Sequence, residues 1–400
     1  MILQDHKIMR LALKFFTVAI LSSSLMACSI GSGRLPDWLV DDKIVLPPAE
    51  LVDFDAEFEA DEIWSEDVGE GAKTEYSDLS PWLQNGAIVA VDHQGEVNSL
   101  QTSSGDLNWQ IELEVPVVTG PGGGEGLILI GSQQGEVIAL DESTGEFRWR
   151  QRLSSEVLTP PKAAYGVVVA RTADGRMTGL SSSDGTVLWN YQRAVPLLSL
   201  RGASPPVVYD DRVIAGYANG KLVALSITDG KVIWERSIAI PRGRTEIDRL
   251  VDIDSAPVIR YGRVYVVAYH GNVAAIDIDS GQQLWSREMS SKAGLDVDPD
   301  VAVYISDEDS HIWAVQDGSG NGLWRQTELL RRRATAPAIV GDYVVVGDLE
   351  GYVHWMSRQD GRFVGRMRIS GSAIRSKPLV KDDLIFVFAI DGTLAAIRVP

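Results

Sequence analysis

Short apolar runs rich in β-branched residues, such as 127–130, 167–169 and 344–346, alternate along this chain with polar segments that end in glycine. Runs of this length and composition predict strands. Pairs such as Gln134-Gly135, Asp174-Gly175, Asn219-Gly220 and Asp391-Gly392 predict tight turns, because glycine supplies the positive φ that such turns require. A second strand then ends on an apolar residue such as Leu140 or Leu225. A second turn, closing on Gly145 or Gly230, leads into a strand that carries a tryptophan. No stretch of this region sustains a helical period. The chain reads as all-β.

The pattern repeats. Seven times a proline is followed 14 residues later by a glycine: Pro81/Gly95, Pro121/Gly135, Pro161/Gly175, Pro206/Gly220, Pro257/Gly271, Pro337/Gly351 and Pro378/Gly392. An eighth copy keeps the frame with Asp296 and Ser310. Five residues past each glycine position stands Leu100, Leu140, Leu180, Leu225, Ile276, Val315, Met356 or Ile397, and fourteen past it six copies place Trp109, Trp149, Trp189, Trp234, Trp285 and Trp324. Self-similarity at about 40 residues marks a repeat architecture. Each proline opens a strand where its missing N–H costs least, and three or four short antiparallel strands per repeat make one blade of a β-propeller.

The last copy stops at Pro400, before its tryptophan, whereas Trp64 stands upstream of the first repeat without a frame of its own. The expected fold is therefore an eight-bladed β-propeller over residues 59–400. Residues 59–68 complete the last blade and leave no open sheet edge. The framed tryptophans are expected to be wedges between neighbouring blades, not the lining of an aromatic channel.

Composition changes the picture at the N-terminus. Cys28 is the only cysteine; it follows Lys7, Arg10 and Lys14, an apolar run from 15 to 27, and Leu25-Met26-Ala27. That run is too short to span a bilayer and reads as a cleaved signal over residues 1–27. The ending resembles the lipoprotein cleavage box, in which the cysteine becomes acylated; several acyl chains anchor stably where one does not. With one cysteine no intramolecular disulfide forms. Residues 28–58 are expected to be a lipidated acidic tether. From 37 to 78 there are 15 acidic residues against Lys43 and Lys73, so much of the net charge of −18 lies here, in a solvated, self-repelling segment. The remainder is only mildly acidic, which argues against nucleic acid as a partner.

No catalytic or metal constellation rises above chance. The histidines of the repeats, His93, His270, His311 and His354, fall at different frame positions, and no HExxH, CxxC or GxSxG occurs. The glycine-rich run 120–126 never fits GxGxxG and is expected to be an interblade turn. Residues 296–300 have the alternation of a calcium loop without its glycine and distal glutamate, and are expected to be an acidic turn. Arg331, Arg332 and Arg333 are expected to form a solvated basic loop. The expectation is no enzyme, no metal and no cofactor.

Connector lengths say more. From the tryptophan position to the next proline position most joints use 11 to 13 residues, but Trp189 to Pro206 spans 17 and Trp234 to Pro257 spans 23. The joint from Trp64 to Pro81 is also 17, where the chain arrives from the tether. Adjacent long connectors build a raised patch, and function tends to sit on such loops. The first contains Leu198, Leu200 and Arg201, the second Asp252 and Asp254. Leu198 and Leu200 share a side of an extended segment, as do the two aspartates. Apolar residues on long loops point to a covering partner; the alternative is that the leucines fold under and Arg201 pairs with the aspartates within the chain.

These residues carry a resemblance. The lipobox, the eight repeats, Pro196-Leu197-Leu198-Ser199-Leu200-Arg201-Gly202, Thr245-Glu246-Ile247-Asp248-Arg249-Leu250 and the segment from Gly347 to Trp355 are similar to the BamB family, the propeller lipoproteins of the outer-membrane β-barrel assembly machine of Gram-negative bacteria. The repeats are of the type shared with pyrroloquinoline-quinone (PQQ) dehydrogenases. The resemblance implies a non-enzymatic scaffold on the periplasmic face of the outer membrane. Such a scaffold binds the POTRA domains of BamA and other subunits of the complex, with nascent outer-membrane proteins as further partners. The family's contact residues match Leu198, Leu200, Arg201, Asp252 and Asp254, and Ser29 after the lipidated Cys28 resembles the outer-membrane transfer signal. The long acidic tether and the arginine triplet depart from the family pattern. The alternative is a PQQ-dependent periplasmic dehydrogenase, which needs a calcium site, a catalytic aspartate and large insertions that a chain barely longer than its repeats lacks. A third reading, docking of nascent strands on blade edges, is compatible with the scaffold.

Overall fold

In seven of the repeats the proline or its frame equivalent sets up four strands that run up and down in chain order. The computed structural model of the chain describes residues 46–72, 79–193, 203–242, 244–245 and 249–399, and every regular element among them is a β-strand. The seven units cover 82–112, 122–152, 162–192, 207–237, 258–288, 294–326 and 338–368, each an antiparallel meander. Units two and three share one eight-stranded sheet through a single parallel bridge between Gly123 and Lys162. The eighth unit is assembled from both ends of the chain: Asp61–Asp67 pairs with Thr393–Arg398, which continues to Leu384–Phe388 and Leu379–Lys381.

Within each unit the pairing of the third and fourth strands slips by one residue beside the tryptophan position. Trp109 lies opposite Ser99 while Leu107 lies opposite Leu100. Trp64 lies opposite Ala396 while Glu62 lies opposite Ile397, with the same slip between them. A bulge of this kind re-aims a side chain without ending the ladder.

Burial follows the strand order. The second strand of unit three, Val167–Arg171, is buried throughout, whereas the fourth strand, Val187–Gln192, buries only Trp189. The tryptophans point into the neighbouring unit. Trp109, Trp149, Trp189, Trp234 and Trp324 each donate the indole N–H to a carbonyl there, on Glu142, Ser182, Ile227, Ile278 and Arg358 at 2.7–3.1 Å. Each ring lies against the second framed glycine of that unit: Gly145, Gly185, Gly230, Gly281 and Gly361. Trp285 packs likewise on Gly320 but makes no such bond. The first strands of seven units line one shared cavity of about 1400 Å³, through Trp82, Gly123, Lys162, Val207, Val258, Leu295 and Leu379 among others, and Ala336, two residues ahead of unit seven, lines it as well.

Four expectations are corrected. Part of the glycine-rich run is itself a strand, Gly122–Gly124, and not a turn. A Cβ on Gly122 would stand 1.8 Å from the Pro161 carbonyl oxygen, so bare backbone is what lets units two and three approach. Asp296 and Asp298 belong to the strand Gly294–Asp298, which pairs with Ala302–Ser306, and their carboxylates pair with Lys377 and Arg358. The end of the expected tether is packed on unit seven: Phe54 against Phe363, Phe58 against Trp355, and the Glu57 N–H donating to the Val364 carbonyl at 2.8 Å. Finally, Arg332 is 2 % exposed, not solvated. It donates to Asp348 at 2.8 Å and to the Ala49 carbonyl at 2.8 Å, and pairs with Glu350. Arg366 donates to the Val52 carbonyl at 2.9 Å and through Nε to His354 Nδ1 at 3.2 Å, and the opposite ring nitrogen lies 3.0 Å from Asp348. That geometry fixes the neutral imidazole with its proton on Nε2. Burial lowers the His354 pKa further against the pull of Asp348.

Candidate functional site at the long connectors

The two long connectors meet where unit four joins its neighbours. Leu198, Leu200 and Arg201 lie outside the described residues, as do Glu246, Ile247 and Asp248. The ends of both connectors are described. Ser204, at the close of the first, donates through Oγ to the Ser255 carbonyl of the second at 3.0 Å. The second connector is held by a buried run: Val251, Asp252 and Ile253 are all buried, and a Cβ on Gly216 would stand 2.1 Å from Ile253. Asp252 exchanges backbone bonds with Tyr269, the shorter at 2.7 Å.

This placement differs from an exposed charged rim. Asp252 is 2 % exposed, and Asp254 lines the shared cavity. Burial pushes the Asp254 carboxyl up to about 6, with the charges of Arg171 and Lys292 pulling it down. Lys292 itself sits over the Tyr269 ring, 4.8 Å from its centre. Tyr217, beneath the connectors, is pushed by burial up to about 12.

Sequence reasoning missed Arg171, which is 5 % exposed at the end of its strand. One of its terminal nitrogens donates to the Ser204 carbonyl at 2.9 Å and to the Gly216 carbonyl at 2.6 Å, and the guanidinium stacks 4.4 Å over Tyr217. Asp252 and Asp254 both lie within its electrostatic reach. A signal existed: the same strand position in the other units holds Val91, Gly131, Gly216, Val267, Ser306, Gly347 or Phe388, none of them charged. Lys162 was also missed. It lines the cavity 3.7 Å from the centre of the Trp82 ring, and burial pushes it down to about 7.

The arrangement offers buried charge and packed connector ends. Among the described residues no three His, Cys, Asp or Glu side chains gather as a metal-holding group, and no helix is long and apolar enough to cross a membrane. The run 296–300 does not fit a calcium loop, since Asp296, Asp298 and Asp300 are drawn to Lys377, Arg358 and Arg263.

By fold the chain is a β-propeller of PQQ-type repeats. A family model described as outer membrane protein assembly factor BamB matches residues 93–326 and 308–399. An outer membrane protein assembly factor BamB of Pseudomonas aeruginosa is 47 % identical over 88 % of this chain and 92 % of its own length. That of Escherichia coli is 33 % identical over 96 % and 98 %. The crystal structure of BamB from Moraxella catarrhalis superposes with a TM-score of 0.78 at 28 % identity, covering 85 % of this chain and all of that one. A quinohemoprotein alcohol dehydrogenase from Comamonas testosteroni, TM-score 0.66 at 12 % identity over 85 % and 76 %, shares the fold alone. The chain belongs to the BamB family of outer membrane protein assembly factors. Its curated relatives are named as assembly factors, not as enzymes.

Proposed function

We propose that this chain is a lipid-anchored, non-enzymatic scaffold of the outer-membrane protein assembly complex. Cys28 carries the acyl anchor, the propeller stands on the periplasmic face, and the long connectors dock the POTRA domains of BamA through Leu198, Leu200, Arg201, Asp252 and Asp254. In this role it assists the folding and insertion of β-barrel proteins beside the other subunits. The eight units form one closed ring whose last blade is completed by the N-terminal strand. The shared cavity and the matching bulge at Trp64 support that closure.

The observation that carries the docking reading is the convergence of the long connectors before and after unit four at one place, tied by the Ser204–Ser255 bond. A surface that binds a partner needs such preorganisation, because loops ordered only on binding lose affinity to entropy. Interface energy concentrates in a few buried anchors, arginine among them. Leu200→Ala combined with Arg201→Ala is expected to weaken binding to purified POTRA domains by roughly tenfold to several hundredfold in a calorimetric titration, with thermal stability unchanged. Full affinity in that variant would move the partner to another face. Titration with PQQ and calcium is expected to give no bound-cofactor absorbance.

A further inference from the structure

We infer that Arg171 is a positioning residue for the docking surface, a buried clamp that fixes the ends of the two long connectors against each other. The inference rests on the connector reading above.

Four observations converge on it. First, the repeat does not call for a charge here, since the seven equivalent strand ends are uncharged. A buried guanidinium is costly unless its charge and donors are matched, so its presence needs a local cause. Second, its hydrogen bonds go to the backbone of the next unit and not to its own: the Ser204 carbonyl at the end of the first connector and the Gly216 carbonyl one strand further on. Third, Asp252 and Asp254 of the second connector lie within the electrostatic reach of the same guanidinium, and Ser255, next to Asp254, is bonded to Ser204, whose carbonyl Arg171 holds. Fourth, Tyr217 supplies a flat surface 4.4 Å beneath it. One side chain of unit three thus bonds the entrance and the second strand of unit four, and its charge reaches the carboxylates of the connector to unit five. The Ser204 Oγ bond to Ser255 completes the tie between the connectors.

The identity of the side chain matters. A lysine keeps the charge, but its compact ammonium cannot stack flat on Tyr217 while reaching both carbonyls. Arg171→Lys is therefore the discriminating variant, because it keeps a positive charge within reach of the two aspartates. Arg171→Met removes the charge as well and is the harsher companion.

The test uses the full lipidated chain in detergent micelles, with two readouts: backbone amide exchange and affinity for purified POTRA domains. In Arg171→Lys, exchange at 203–204 and 250–255 is expected to quicken at least tenfold while the other units keep their protection, and affinity is expected to fall about tenfold. Arg171→Met is expected to show the same pattern, more strongly. Unchanged exchange at both connector ends in Arg171→Lys overturns the clamp, as does acceleration spread evenly over all units. If Leu200→Ala with Arg201→Ala loses binding while the loosened Arg171→Lys keeps it, Arg171 positions nothing that the partner reads and the inference falls. If both variants bind normally, the interface reading is what fails, and local exchange alone decides for or against the clamp.

Discussion

The Trp64 indole lies against Gly105 and donates its N–H to the Thr102 carbonyl at 3.0 Å, 38 residues further along the chain. This is the same contact that Trp109 makes with Gly145, one unit on. It joins the sheet containing both chain ends to unit one. Gly105 adopts φ +77° and an added Cβ would stand 2.9 Å from the ring, so the glycine serves both the turn and the approach.

Trp64→Ala is expected to be among the most destabilising single changes in the chain. Truncating a buried tryptophan typically costs about 3–5 kcal/mol, and here an acceptor is left without its donor as well. Gly105→Ala should cost less but in the same direction. Thermal unfolding of both variants checks this; an unchanged midpoint for Trp64→Ala would mean that the joint does not hold the ring.

Much of this was legible in the sequence. Trp109 and Gly145 stand at fixed frame positions, so their contact is written in the repeat even though they are 36 residues apart. The partners of positions that break the frame were not legible. The repeat marks Arg171 as the one charge at its strand position, but its acceptors, the Ser204 and Gly216 carbonyls, come from another unit and leave no trace in the spacing. Arg332 reads as one of three solvated arginines because nothing local distinguishes it from Arg333, which is exposed. Both are fixed by long-range backbone acceptors, and spacing carries no record of those. Asp252 was placed on a loop from connector length alone, whereas the buried residues Val251 and Ile253 on either side draw its backbone into a bridge.

The segment 49–58 should depend on Arg332. Arg332→Met leaves Asp348 buried and the Ala49 carbonyl without its donor, and breaking a buried ion pair costs roughly 3–5 kcal/mol. Limited proteolysis is expected to cut within 49–58 in this variant and not in the parent chain. Arg333→Ala, at an exposed position, is expected to stay within about 0.5 kcal/mol of the parent. Equal protease resistance in Arg332→Met would show that the aromatic contacts of Phe54 and Phe58 hold the segment alone.

Cys28→Ala tests the anchor. The lipobox reading makes covalent lipid on Cys28 the expected attachment. On a sucrose gradient the alanine variant is expected to leave the membrane fractions while remaining folded by thermal unfolding. If it still floats with outer membrane stripped of the other subunits, attachment does not run through Cys28.

The Asp254 carboxyl predicts a pH dependence whose sign is unusual for an aspartate. In an unfolded chain it titrates near 4, and burial pushes it up to about 6 in the fold. Between these values the native state holds more protons than the unfolded one, so stability from this group falls as pH rises from about 4 to about 6 and is level above. At neutral pH the ionised carboxyl then costs on the order of 1–3 kcal/mol, softened by Arg171 and Lys292. Asp254→Asn is expected to raise the unfolding midpoint at pH 7, leave it unchanged near pH 4 and flatten the slope between. The same variant should bind POTRA domains more weakly at pH 7, because the charge that is costly in the free protein is the one offered to the partner. Midpoints measured from pH 4 to 8, with one titration at pH 7, decide it. A midpoint at pH 7 that falls on substitution would mean that the ionised carboxyl stabilises the connectors through Arg171 more than its burial costs.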